Sequence, residues 1–237
     1  MHEHPPVALA DAVEHVYYVL RRYGLKAHIE GCPCCVFDED QQRVRHRSLR
    51  TLTAEDLELY AADALLTWGD ADDFRHFLPR LLELVTGSPD DEINNEILLS
   101  KLAYANWWEW PQQERDAIEA VLQLRWELGL TLDPSEFDAD TWLCGVALAG
   151  SDSSRYIDAW HTSTAHTAFE HLATFLTSNR DLLTEGRLTN AFYPEDPADY
   201  PGHPAEDVAR EMREWLDACM ADAQFQNRLA AWYQQSD

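Results

Sequence analysis

The sequence predicts an all-α fold, a stack of antiparallel helix pairs closed by a long C-terminal helix. Apolar residues recur at three- and four-residue spacing almost from end to end. The breaks between these runs are helical punctuation, with Ser, Thr or Asp before a run and Gly or Pro after it. One helix pair also recurs after a shift of about 40 residues. Strand patterning is confined to Val36-Phe37 and Val44, which predict a short hairpin around Asp38-Glu39-Asp40.

The first helix places Leu9, Val13, Val16, Tyr17 and Leu20 on one face, with Arg21 and Arg22 at its negative end and Gly24 as its stop. The second opens at Thr53, with Asp56 three residues on and Leu52 placed to staple onto Leu57. Its stripe is Leu57, Tyr60, Ala64, Leu65 and Trp68. Gly69 and Asp70 turn the chain, and Asp70 or Asp72 caps a third helix buried through Phe74, Phe77, Leu78, Leu81, Leu82 and Val85. Pro79 predicts a kink in that helix, or its true start.

Ser88-Pro89-Asp90-Asp91 reads as the next helix start, leading through Ile93, Ile97, Leu98 and Leu102 to Trp107-Trp108-Glu109-Trp110. Pro111 opens a partner helix with Ile118, Val121, Leu122 and Leu128 on one face, ending at Gly129. A third pair runs from Trp142 to Leu148, turns through Gly150-Ser151-Asp152-Ser153-Ser154, and continues with Tyr156, Ile157 and Trp160, then Ala168, Leu172, Phe175 and Leu176. Prolines and glycines make 184–204 a long loop. Pro204 opens the last helix, with Val208, Met212, Trp215, Cys219, Phe225, Leu229 and Trp232 on its face. One domain over 1–237 is expected, with a Cys-containing loop at 25–50.

Trp68 followed by Leu81-Leu82 corresponds to Trp108 followed by Val121-Leu122. On these residues the stretch from Leu52 to Trp126 resembles HEAT and armadillo-like repeat proteins. The resemblance implies a right-handed α-solenoid that presents a surface to partners. The Cys32-Pro33-Cys34-Cys35 segment, followed by Thr67-Trp68-Gly69-Asp70 and by the string from Phe74 to Leu84, is also similar to a family of uncharacterised bacterial proteins. That likeness implies no activity.

Forty-three acidic residues against 18 basic ones give a formal charge of −25. Such a surface repels phosphate backbones and anionic membranes, so direct nucleic-acid binding is not expected. It suits solvation, or a basic protein partner such as a toxin or nuclease that the chain would inhibit as an immunity protein. The first residues carry neither a basic n-region nor an apolar run, and no stretch approaches the roughly 20 apolar residues of a membrane span. Five cysteines in no regular framework fit a reducing compartment, so a cytoplasmic location is expected.

The sharpest chemical signal is Gly31-Cys32-Pro33-Cys34-Cys35. Cys32 and Cys35 have the two-residue spacing that lets two thiolates share a zinc ion or form a redox pair, and the same spacing also occurs in plain structural turns. Zinc needs four ligands, so the others would come from His28, His46, Cys34 or a carboxylate; the expected set is Cys32, Cys35, His28 and His46. A redox role would need a helix N-terminus on a thioredoxin-like sheet.

Other signals are weaker. His161, His166 and His171 are five apart, about 140° between neighbours on a helix, and do not converge. His166 with Glu170, and Asp72 with His76, share a face and could each be half of a metal site. Trp107, Trp108 and Trp110 span too many directions for all to be core, which makes them candidate partner-binding residues. The basic group Arg43, Arg45, His46, Arg47 and Arg50 is expected to pair with Asp38, Glu39 and Asp40. Together these signals favour a non-catalytic protein-binding module without a cofactor. The alternatives are a metal-dependent or thiol enzyme around Cys32 and Cys35, and a structural zinc knuckle on a binding solenoid.

Overall fold

The computed structural model describes residues 7–87, 93–185, 188–190 and 205–235. These form helices, turns and loops with no strand among them; β pairing is limited to isolated bridges, Gly31 to Trp68 and Ala64 to Trp68. None of these helices is long and apolar enough to cross a membrane. The chain divides into two compact units, 1–125 and 126–237.

The first unit begins with α1 (Val7–Leu20), whose buried residues are the five expected from its periodicity. Next come α2 (Asp38–Arg43), a 3-10 turn at Leu49–Thr51 and α3 (Ala54–Asp63). They are followed by α4 (Ala71–Gly87), α5 (Asn95–Tyr104), a 3-10 turn at Trp107–Glu109, and the start of α6 (Gln112–Gly129), in which the unit boundary falls. The central helix is α4, which packs against α1 and α3; α3 also packs on α5. Phe74, Phe77, Leu78, Leu81 and Leu82 of α4 are fully buried. Pro79 sits inside α4 and is buried with them. The helix continues through it, so burial of this face offsets the roughly 3 kcal/mol an interior proline costs.

Several boundaries differ from the periodic reading. The expected hairpin at Asp38-Glu39-Asp40 is instead the first turn of α2, because Asp40 accepts the Phe37 N–H at 2.9 Å and three acids favour a helix N-terminus. The expected capping box at Thr53 is present, with Thr53 and Asp56 bonding reciprocally at 2.9 and 3.2 Å. α3 stops at Asp63, however, and Leu65 lies in the left-handed region at φ 68°. Trp68 therefore enters the core from a turn, with its ring 5.2 Å from that of Tyr60. Likewise α5 ends before the tryptophan cluster, where Asn106 is left-handed at φ 48°. The helix start read at Ser88-Pro89-Asp90-Asp91 lies outside the described residues, and Asn94 caps α5, accepting the Ile97 N–H at 2.7 Å.

A buried carboxylate joins three segments of this unit. Glu114 of α6 pairs with Arg22, accepts the Tyr23 hydroxyl at 3.1 Å and lies 3.9 Å from the Arg75 guanidinium of α4. Removing one partner from such a cluster strands charge in the interior, which costs more than the pair itself contributes.

The second unit contains α7 (Ala139–Leu148), α8 (Ser153–Thr162), α9 (His166–Ser178), α10 (Asp181–Glu185), α11 (Ala205–Ala221) and α12 (Ala223–Gln235). Trp126 anchors its core: the indole N–H donates to the Tyr156 carbonyl at 2.8 Å and the ring meets Trp160 edge-on at 4.9 Å. Gly129 lies so close to Phe137 that a Cβ there would sit 2.3 Å from the ring. The single long C-terminal helix of the sequence reading is two helices. Asp222 interrupts it, accepting the Gln224 N–H at 2.9 Å and the His161 ring at 2.9 Å. Those contacts, the Gln224 amide first, hold the Asp222 carboxyl below its ordinary range. Most of loop 184–204 lies outside the described residues.

Lys101 of α5 is 2% exposed, with its ammonium 5.8 Å over the Tyr104 ring. Burial pushes it down to about 8, partly opposed by the charge of Asp63. Below that pH the folded protein bears the full cost of a desolvated ammonium; the cost fades as the pH rises from about 8 towards the unfolded value of 10.5. Lys101→Met should therefore stabilise the protein at pH 7 by about 1–3 kcal/mol, with the gain shrinking towards pH 10. Urea unfolding of both proteins at the two pH values measures this, and destabilisation at pH 7 would contradict it.

Candidate metal centre

The loop that carries the cysteines is built onto the helices by backbone contacts. Cys32 N–H donates to the Thr67 carbonyl at 2.8 Å and Gly69 N–H donates to the Glu30 carbonyl at 2.7 Å, which makes Gly31 and Trp68 an antiparallel bridge. Ile29 and Val44, which lie on either side of the cysteines in sequence, are buried. Lys26 holds the loop's start, reaching Asp70 at 2.6 Å and buried Asp73 at 3.1 Å. Gln41 of α2 donates to the Ile29 carbonyl at 2.7 Å and Arg45 to that of Ala27 at 2.6 Å. Asp70 is the cap of α4, accepting the N–H groups of Asp72 at 2.9 Å and Asp73 at 3.1 Å.

The bridge demands an unusual backbone at residue 69. Gly69 is left-handed at φ 76°, and a Cβ on it would lie 3.0 Å from the Asp73 Cβ and 3.1 Å from the Ile29 side chain.

Beyond this bridge Cys32-Pro33-Cys34-Cys35 forms a turn, closed by the N–H groups of Cys35 and Val36 donating to the Cys32 carbonyl, each at 2.9 Å. The turn gathers all three sulfurs. Cys32 Sγ is 2.9 Å from Cys34 Sγ, Cys34 Sγ is 3.6 Å from Cys35 Sγ, and the three lie within 4.8 Å of one another. Zinc–sulfur bonds of about 2.3 Å set a tetrahedral edge of roughly 3.8 Å, inside the range these sulfurs span. Cys34 and Cys35 are exposed and Cys32 is half-buried. Hydrogen bonding from Cys34 holds the Cys32 thiol below its ordinary value, while contacts with Cys34 and then Cys32 push Cys35 up to about 11. One proton thus leaves easily and the next is resisted by the thiolate already formed. A cation of charge two or more relieves that repulsion. The cluster can hold a metal ion.

The expected ligand set is only partly brought together. Cys32 and Cys35 belong to the cluster, and Cys34, an alternative ligand outside the expected set, belongs too. His28 is exposed on the loop and His46 lies 3.7 Å from Asp56; neither joins the sulfurs. Among the described residues no other group of three or more such donors converges. A redox pair has little support from the surroundings: α2 is six residues long and opens with Asp38, Glu39 and Asp40, whose charges oppose a thiolate.

The remaining candidates have structural partners. Asp72 pairs with Arg75 at 2.8 Å and His76 bonds the Tyr23 carbonyl at 2.9 Å, so the Asp72–His76 half-site is not formed. His166 and Glu170 are 3.7 Å apart, a surface pair. The basic group does not pair with Asp38, Glu39 and Asp40 as expected: Arg47 approaches Asp56 at 3.7 Å and Arg50 chelates Glu14 at 2.5 and 2.8 Å. Arg50 also stacks on Tyr17 at 3.8 Å, on the wall of a cleft of about 630 Å³ lined by Tyr18, Tyr23, His76 and Pro79.

Of the tryptophans, Trp107 and Trp110 are buried at 6% and 3%, and Trp108 is 40% exposed. Trp110 donates to the Ala105 carbonyl at 3.1 Å and stacks under Arg75 at 4.1 Å. Other exposed apolar side chains of this unit include Phe37 at 61% and Leu66 at 56%, one flanking the cysteines and one on the turn that carries them.

Compared with known families, curated proteins and solved structures, the chain matches none.

Two substitutions test this geometry. Gly69→Ala should cost about 2 kcal/mol or more, from left-handed strain and the close approach to Asp73 and Ile29, measurable by thermal unfolding. Trp110→Ala should cost about 3–5 kcal/mol whereas Trp108→Ala should change stability by less than about 1 kcal/mol. Equal losses at the two tryptophans would contradict the assignment of core and surface.

Proposed function

We propose that the chain is a non-catalytic helical protein-binding module whose Cys32–Cys35 turn binds zinc. The observation that carries the reading is the gathering of Cys32, Cys34 and Cys35 within 4.8 Å on a turn already fixed to the helical unit. Zinc suits it because thiolates are its preferred donors and it brings no redox chemistry of its own. The ion would lock a solvent-facing loop, with Phe37 and Leu66 left as apolar contacts for a partner. Trp108 is a third anchor of the kind that dominates interfaces.

The partner is a basic protein, the chain acting as its inhibitor or immunity protein. A charge of −25 supports this by steering cationic surfaces and repelling nucleic acid. The reading takes the helices to be HEAT-like pairs, an architecture suited to display rather than to enclosing a substrate.

Zinc removal gives the first test. Protein purified under reducing conditions should carry about one zinc per chain by elemental mass analysis, and chelation should lower its melting temperature by roughly 5 °C or more while its helical content persists at 25 °C. Cys32→Ser and Cys35→Ser should each abolish stoichiometric zinc without loss of helix. A metal-free protein whose melting ignores both zinc and chelator would contradict the reading.

A further inference from the structure

We propose that the ion on Cys32, Cys34 and Cys35 has an open fourth position that accepts an imidazole from outside the chain, supplied in nature by a histidine of the docking partner. The inference rests on the metal reading of this turn and concerns how the site is completed. Three sulfurs come from four consecutive residues, so they occupy one side of any ion they share. Among the described residues no histidine or carboxylate converges with them. The nearest histidines in sequence are placed elsewhere: His46 is turned to Asp56 and to the Arg43 carbonyl, and His28 is exposed outside the cluster. Cys34 and Cys35 are exposed, so the side opposite the loop faces solvent.

A zinc site with three protein ligands keeps an exchangeable fourth position, filled by water until a better donor arrives. Charge selects among donors. Three thiolates and a divalent ion already sum to −1 on a chain of charge −25, so a carboxylate or a further thiolate adds repulsion that a neutral imidazole does not. Imidazole is also a strong zinc donor. Exposed Phe37 lies just beyond the turn and Leu66 precedes Thr67, whose carbonyl holds Cys32. A partner surface that brings an imidazole to the ion would thus find exposed apolar side chains on the same two segments.

Cobalt reports the geometry directly. Metal-free, reduced full-length protein is titrated with Co(II), then with imidazole, and the visible spectrum is followed. The proposal expects one Co(II) per chain with thiolate charge-transfer bands, and a saturable shift of the d–d bands as imidazole replaces water. Cys34→Ser should weaken Co(II) binding at least tenfold, as should Cys32→Ser. His28→Ala, His46→Ala and the double variant His2→Ala/His4→Ala should each keep both the cobalt spectrum and the imidazole shift. Failure to bind cobalt or zinc would overturn the metal reading itself. Binding with a tetrahedral spectrum that imidazole does not move would overturn the open position alone. If one histidine variant then gains the imidazole response, that histidine is the resident fourth ligand.

Discussion

The pairing of Gly31 with Trp68 is the constraint on which the first unit's chemistry depends. Through it the Cys32 and Gly69 amides each donate to the opposite segment, so a loop with little core of its own becomes an extension of the turn before α4. The turn makes this bridge with Leu65 and Gly69 both left-handed. The strain at Leu65 is of order 1–2 kcal/mol and is held by Trp68 beneath it, buried against Tyr60. Without the bridge the three thiols would be a flexible cluster; with it they are gathered before any metal arrives.

Electrostatics reinforces the same joint. A chain with 18 basic residues against 43 acidic ones has few cations, and in the first unit they tie segments together. Lys26 joins the loop to the cap of α4, Arg45 bonds the loop's carbonyls, and Arg22 and Arg75 surround Glu114. Their use inside the fold leaves the acids to define the outer field, on which the proposal of a basic partner rests. Lys101 is an exception, a buried cation whose attraction to Asp63 does not cancel its desolvation, and it marks where this unit has given up stability.

Local patterns in the sequence carried the helices well. The faces of α1 and α4, the capping box at Thr53 and the turn at Gly69-Asp70 depend on residues within four or five positions of one another, where periodicity and capping chemistry operate. Three features escaped that reading because each rests on a distant partner. Trp68 belongs to a turn and not to α3, since its bridge is to Gly31. Asp222 ends α11 because it caps α12 and meets His161. Arg50 turns to Glu14 of α1 and ignores the nearer acids. At the thiol site the spacing of Cys32 and Cys35 was legible. The inclusion of Cys34 was not, because it follows from how the turn folds back on the Cys32 carbonyl.

The central claim is that the chain itself, without metal, holds the cysteine turn on the helical unit. Amide hydrogen exchange of metal-free, reduced protein tests it most directly, read at Cys32 and Gly69. The account predicts that both amides are protected, close to the level of the buried turns of α4, before zinc is added. Exchange at unstructured rates in metal-free protein, with α4 still protected, would contradict it and make the ion the organiser of the loop.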